Sequence, residues 1–191
     1  MATFNTLPER EFSAGLAEVV KYALIFDVDF LTWLEQNTNK ILTKDGDILS
    51  QMVYRCCDYK AQIVTLDERE SGNRALLNFG HTFGHVIETH QGYGSWLHGE
   101  AVSAGMVQAL ALSCELGLIS RDDVSRVAKL LSVFNLPVRP PVIEVDTALN
   151  LMGHDKKVQS GKIRLVLLKS LGQGFVTAEF EMALLQKVLT D

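Results

Sequence analysis

The chain has 191 residues, 47% hydrophobic and 21% charged, with a net charge of −5 and an isoelectric point near 5.5; this suits one domain with a real core and argues against non-specific nucleic-acid binding. No apolar run approaches the ~20 residues of a membrane span, and the opening MATFNTLPERE lacks the basic start and apolar stretch of a signal peptide. Three cysteines, Cys56, Cys57 and Cys114, with no CxxC, argue for a reducing, cytoplasmic setting and against a thiolate zinc site.

Helical periodicity dominates the chain. Ser13 is the expected cap of a helix through Ala17, Val20, Lys21, Leu24 and Ile25, and Phe30, Trp33 and Leu34 suggest a second helix ending near Asn37 and Asn39. Asp45-Gly46-Asp47 reads as a turn, followed by a long helix over 48–66 with Met52, Val53, Cys56 and Ile63 inward. The charged run Asp67 to Gly72 reads as a loop, and the next helix is expected from Ala75 to His90. After a turn over 91–95, residues 98–116 form an apolar helix whose Ala101, Ala104, Gly105 and Ala109 permit close packing. Ser120 to Asp123 opens a helix through Leu131; Pro137, Pro140 and Pro141 mark an extended connection, and 146–152 a short helix. Strand character is confined to a hairpin, Ile163–Leu168 returning through Phe175–Thr177, before a last helix over 181–189. The expected fold is mainly α, a single multihelical domain over 1–191 with a small β-hairpin.

No nucleotide fingerprint is present. Gly92-x-Gly94 and Gly172-x-Gly174 both lack the third glycine and the strand–turn–helix setting that phosphate binding requires, and there is no P-loop.

Five histidines, His81, His85, His90, His98 and His154, supply the candidate metal ligands. His81 and His85 are four apart and share a helical face, so spacing alone makes them the obvious ligand pair. Gly80 and Gly84 each precede one of them, and at ~1 kcal/mol apiece in a helix interior they suggest that something approaches the backbone closely. Asn78 and Arg74 lie one and two turns before His81 on the same expected face; Arg74 could clamp a carboxylate or phosphate, or simply pair with Glu70. Glu18 and Lys21, three apart in an apolar segment, are either a surface salt bridge or, if buried, a ligand beside an anion contact. His90 and His154 read as structural or surface residues.

Four stretches then fall in one order: TLPEREFSAGLAEVVKYALI from Thr6, DERESGNRALLNFGHTFGHVIE from Asp67, YGSWLHGEAVSAGM from Tyr93 and HDKKVQSGKIRLVLL from His154. Together they resemble the C-terminal domain of the 3-dehydroquinate synthase family, over nearly the whole chain. The resemblance implies three zinc (or cobalt) ligands, Glu18, His81 and His98. It removes His85 from the metal, against the HxxxH spacing, and gives it a catalytic contact with substrate. It also implies catalytic contacts at Lys21, Arg74 and Asn78, substrate contacts at Lys60 and at one of Lys156 and Lys157, and a stretch from Thr3 through Phe4 and Asn5 to Thr6 that touches the cofactor.

In that family the substrate is 3-deoxy-D-arabino-heptulosonate 7-phosphate. Its C5 hydroxyl is oxidised transiently by NAD, phosphate is eliminated, the ketone is reduced again, and the ring opens and recloses as an aldol. A preceding NAD-binding domain is implied and is not in this chain, so Met1 is expected to begin a fragment, inactive alone, of a homodimeric enzyme acting on a small sugar phosphate. Two alternatives stand beside this reading. One is another sugar phosphate cyclase or a metal-dependent alcohol dehydrogenase of similar helical fold; the other is a non-catalytic helical binding module.

Overall fold

A computed structural model describes residues 4, 6–66, 73–92, 94–154 and 163–190. Thr3, Asn5, Lys156, Lys157 and the charged run 67–72 lie outside the described residues. The elements run α1 (Glu9–Phe26), α2 (Val28–Gln36), α3 (Thr38–Leu42), α4 (Gly46–Leu66), a 3-10 helix (Asn73–Asn78), α5 (His81–Gln91), α6 (His98–Glu115), α7 (Arg121–Val133), α8 (Val145–His154), β1 (Leu165–Ser170), β2 (Gln173–Thr177) and α9 (Met182–Thr190). The described residues are thus mainly α, with one antiparallel hairpin, as the periodicity predicts.

Helix α6 is the axis of the packing, in contact with α1, α5, α7, α9 and β1. Its Ala101, Val102, Ala104, Met106, Ala109 and Leu110 are all fully buried; the small residues among them let neighbouring helices approach on several sides. The hairpin pairs Leu165 with Thr177 and Leu167 with Phe175. Leu165 to Leu168 are buried on both faces, which is why β1 reads as a continuous apolar run rather than an alternation. Two buried hydroxyls tie elements together: Ser113 Oγ donates to the Ala109 carbonyl at 2.8 Å and accepts from the Leu168 N–H at 3.1 Å. Ser103 Oγ donates to the Pro137 carbonyl at 2.7 Å, tying the proline-rich connection to α6.

Several boundaries differ from the sequence expectation. Helix α1 starts at Glu9 with Pro8 at its N-cap, and Ser13, the expected cap, is buried inside the helix. Pro8 has no N–H to satisfy, and Glu9 and Glu11 in the first turn complement the helix dipole. Asp45 is not a turn residue but the cap of α4, its Oδ1 accepting from the N–H groups of Asp47 and Ile48 at 3.1 Å. The second helix ends near Asn37, as expected, with the Asn37 side chain donating to the Trp33 carbonyl at 2.8 Å; the short helix α3 that follows at Thr38–Leu42 has no counterpart in the sequence expectation.

The largest difference lies just before His81. No single helix spans 75–90: the 3-10 helix ends at Asn78 and Gly80 adopts a left-handed conformation, φ +77°. Only glycine takes that conformation without strain, and a Cβ there would also lie 2.5 Å from Met106 Cγ. Gly84, inside α5, meets the backbone of Ala101, 3.2 Å from where its Cβ would stand. The close approach that the two glycines signal is therefore that of α6.

Candidate metal centre

One stripe of α1, at spacings of four, four and three residues, faces the start of α6. Arg10 leads it, gripping Glu100 through two charge-assisted bonds, Nε to Oε1 at 2.6 Å and Nη2 to Oε2 at 2.7 Å, and donating to the Ser95 carbonyl at 3.0 Å. Glu100 Oε2 also accepts from the Leu97 N–H at 2.8 Å. The Arg10 guanidinium accordingly holds the Glu100 carboxyl below its usual range. Next along the stripe is Ala14, whose carbonyl lies so close to Gly99 that a Cβ on Gly99 would overlap it. Glu18 and Lys21 follow, and the approach at Gly99 carries the adjacent His98 toward them.

Glu18, His81 and His98 each offer one ligand atom, and these atoms lie within 4.8 Å of one another. His81 is the first residue of α5 and His98 the first of α6, so the left-handed backbone at Gly80 and the extended backbone at Leu97 fix where both rings emerge. Glu18 Oε1 stands 3.7 Å from His81 Nε2, and the two rings meet edge-on with centroids 5.1 Å apart.

Both imidazoles are held by their other nitrogen. His81 Nδ1 lies 3.1 Å from the Phe79 carbonyl and His98 Nδ1 3.1 Å from Glu88 Oε1. A carbonyl and a carboxylate only accept, so each Nδ1 carries the proton in these bonds. Burial, reinforced by the charge of Lys21, pushes the His81 pKa down to about 4. Neutral, with Nδ1 protonated, His81 presents a lone pair at Nε2, which is the state a metal ligand requires.

Glu18 Oε1 is a buried oxygen with no hydrogen-bond partner, and no other side-chain atom among the described residues shares that condition. Buried polar atoms are nearly always paired, and an orphan points to an ion or water in that position. Two neutral imidazoles and a carboxylate are a familiar donor set for a divalent cation with one position left open. The residues fit a zinc-type metal.

The other sequence candidates fall around this trio. Lys21 is buried, 3% exposed, and its Nζ donates to Glu18 Oε2 at 2.5 Å, so the surface salt-bridge reading does not apply. The His85 ring lies beside the trio, centroids 6.1 Å from His81 and 6.4 Å from His98, outside the ligand group. The break at Gly80 removes Arg74 and Asn78 from the helical face of His81: Arg74 is exposed in the 3-10 helix and Asn78 closes it. Lys60, exposed on α4, lines an apolar cavity of about 250 Å³ between α1 and α4 together with Phe4, Tyr22 and Met52; Phe4 also packs edge-to-face on Phe12.

Sequence reasoning missed Glu88, Gly99 and the Arg10–Glu100 clamp. Glu88 could have been found, since it stands seven residues after His81 on the stripe that also carries His85. Gly99 and the clamp carry no periodic signal, because each depends on a residue more than eighty positions away.

The family model for the 3-dehydroquinate synthase C-terminal domain matches residues 15–158. The chain belongs to this family. A 3-dehydroquinate synthase from Psychrobacter arcticus is 64% identical over 191 residues, all of this chain and 49% of the relative. One from Acinetobacter baumannii is 56% identical over 189 residues, 99% of this chain and 52% of the relative. This 3-dehydroquinate synthase C-terminal chain thus spans about half the length of the curated relatives it matches. A 2-deoxy-scyllo-inosose synthase, solved with carbaglucose-6-phosphate, NAD+ and Co2+, superimposes with a TM-score of 0.80 at 25% identity, over 97% of this chain and 53% of that one. A 2-epi-5-epi-valiolone synthase from Streptomyces hygroscopicus, solved with NAD+ and Zn2+, shares the fold with a TM-score of 0.86 at 24% identity, over 96% of this chain and 51% of that one.

Proposed function

We propose that this chain is the metal- and substrate-holding part of a 3-dehydroquinate synthase, which converts 3-deoxy-D-arabino-heptulosonate 7-phosphate to 3-dehydroquinate and phosphate in the shikimate pathway. The observation that carries the proposal is the partnerless buried oxygen of Glu18 facing the Nε2 side of His81, in a chain 64% identical to a protein of that name. Glu18, His81 and His98 would hold Zn2+ or Co2+. Bound there, the metal would supply a Lewis acid that polarises a substrate hydroxyl.

The chain's own side chains do the rest. Lys21 fixes the orientation of the Glu18 carboxylate, and its charge lies where an anionic sugar would sit. His85, one turn beyond His81, is placed to hold or pass a proton at its imidazole beside the bound substrate. Arg74, Asn78, Lys60 and one of Lys156 and Lys157 supply contacts to carboxylate and phosphate, the Arg74 guanidinium in a forked geometry. NAD belongs mainly to the portion of the relatives that this chain does not span, with Thr3, Phe4, Asn5 and Thr6 touching it from this side.

The whole enzyme is proposed as a cytoplasmic homodimer without a membrane or nucleic-acid partner. Three unpaired cysteines support a reducing setting. A second reading, a cyclase of another sugar phosphate, is favoured by the likeness to 2-deoxy-scyllo-inosose synthase, but at far lower identity.

The test fuses this chain behind the N-terminal half of the Psychrobacter arcticus relative. Phosphate release from 3-deoxy-D-arabino-heptulosonate 7-phosphate, abolished by His98→Ala, is the expected result. Release from glucose 6-phosphate alone would favour the second reading, and release from neither would contradict both.

A further inference from the structure

We propose that Glu88 is a positioning residue of the metal centre, holding His98 by Nδ1 so that Nε2 faces Glu18 and His81. The inference rests on the reading of Glu18, His81 and His98 as the ligand set. The His98 side chain is 51% exposed, so packing alone does not fix its χ angles. An imidazole this open samples both ring orientations and both tautomers unless a partner selects one. Glu88, whose side chain is only 16% exposed, is that partner at 3.1 Å.

The geometry makes Glu88 a support rather than a ligand. It stands on α5 seven residues after His81, two turns along the same face, and its Oε1 engages His98 Nδ1, which leaves Nε2 as the nitrogen for a cation. Among the described residues it is not a member of the ligand group. His81 receives the equivalent hold from the Phe79 carbonyl, a backbone group that mutation cannot remove. His98 depends on a side chain. A carboxylate on the non-ligating nitrogen fixes the tautomer and raises the basicity of the ligating one, and losing such a partner typically weakens metal binding by about 10–100-fold.

A purely structural role for Glu88 would be to join α5 to α6. Those helices are already locked by backbone approach at Gly84 and Ala101, so an effect on the metal should separate from an effect on folding.

The experiment measures Zn2+ affinity of the full 191-residue chain by chelator competition, for the parent, Glu88→Ala, Glu88→Gln and His98→Ala. The His98 tautomer is read in each metal-free protein from imidazole 15N shifts. Glu88→Ala is expected to bind Zn2+ about 10–100-fold more weakly, with its metal-free melting little changed. His98 should pass from the Nδ1–H form to a mixture dominated by Nε2–H. Glu88→Gln, whose amide oxygen accepts the same proton, should recover most of the affinity and the Nδ1–H tautomer. Parent-like affinity in Glu88→Ala, with binding lost in His98→Ala, overturns the role of Glu88 and leaves the ligand set standing. Parent-like affinity in His98→Ala overturns both. Should Glu88→Ala fail to fold, Glu88→Gln decides: loss of the Nδ1–H tautomer at undiminished affinity overturns the proposal.

Discussion

Lys21 and Glu18 divide one carboxylate between two tasks. Lys21 Nζ donates to Oε2 at 2.5 Å, and Oε1, buried and unpartnered, is left facing the imidazole of His81. The lysine is buried at 3% exposed and pairs with that carboxylate, while the carboxylate engages the lysine through only one of its oxygens.

Removing Glu18 should therefore cost stability as well as metal. Glu18→Ala is expected to lower unfolding stability by about 1–3 kcal/mol, less than for a fully buried pair because the Glu18 side chain is 38% exposed. Adding Lys21→Met should restore at least half of that loss, since an apolar side chain then replaces a stranded charge. Urea unfolding of the single and double variants checks this; losses that simply add would contradict the coupling.

Gly99 and Gly15 should respond oppositely to alanine. A methyl on Gly99 would overlap the Ala14 carbonyl, a backbone group that cannot swing away. Gly99→Ala is expected to cost more than about 3 kcal/mol and to abolish metal binding by lifting the start of α6 off α1. Gly15 lies inside α1 with nothing within 4 Å of its Cβ position, so Gly15→Ala should stabilise by about 0.5–1 kcal/mol. Thermal melts and zinc titration of both variants check the pair.

These two glycines mark how far the sequence can be read. The 3.6-residue pattern places most helices, and β1 with β2 follows from an apolar run, a turn and β-branched residues, because each signal is local. The same pattern fails at Gly80, where a left-handed residue divides what periodicity joins, so Arg74 and Asn78 lose the face expected for them. Spacing also selects His81 and His85, whereas the gathered ligand atoms come from positions 18, 81 and 98. Nothing local connects those positions; only the resemblance named them together. What brings them together is the approach of Gly99 to Ala14 and the grip of Arg10 on Glu100, contacts between residues far apart in sequence.

His85→Ala is expected to retain Zn2+ within about threefold of the parent affinity, far short of the loss that removing a ligand produces. In the fusion with the N-terminal half of a relative it should abolish phosphate release. Loss of metal equal to that of His81→Ala would restore the pair suggested by spacing.

Stability should fall at both ends of the pH range. Burial holds the Cys56 thiol up to about 12 from an ordinary 9.0, and burial with the Asp27 hydrogen bond pushes the Tyr59 phenol well above 10. Folded protein keeps protons that the unfolded chain releases, so this stability is complete below pH 9 and drains away as the pH climbs toward 12. Asp27 behaves in the opposite sense. Although burial alone would raise its pKa, the Tyr59 hydroxyl and the N–H groups of Phe30 and Asp29 together hold it below 3.8. Its contribution is present above that value and is lost as the pH falls further. The fold also keeps His81 neutral, near 4 against an ordinary 6.5, so stability falls as the pH drops below 6.5. Urea midpoints measured from pH 3 to 11 should be highest between about pH 6.5 and 9; a midpoint still rising at pH 11 would contradict the assignment.

The most direct test is an anomalous difference map at the zinc edge from crystals of the Zn2+-loaded chain. One peak is expected within about 2.0–2.2 Å of Glu18 Oε1, His81 Nε2 and His98 Nε2, with His98 Nδ1 still on Glu88. A peak bridging His81 and His85, or no peak among the three ligands in a fully loaded crystal, would contradict it.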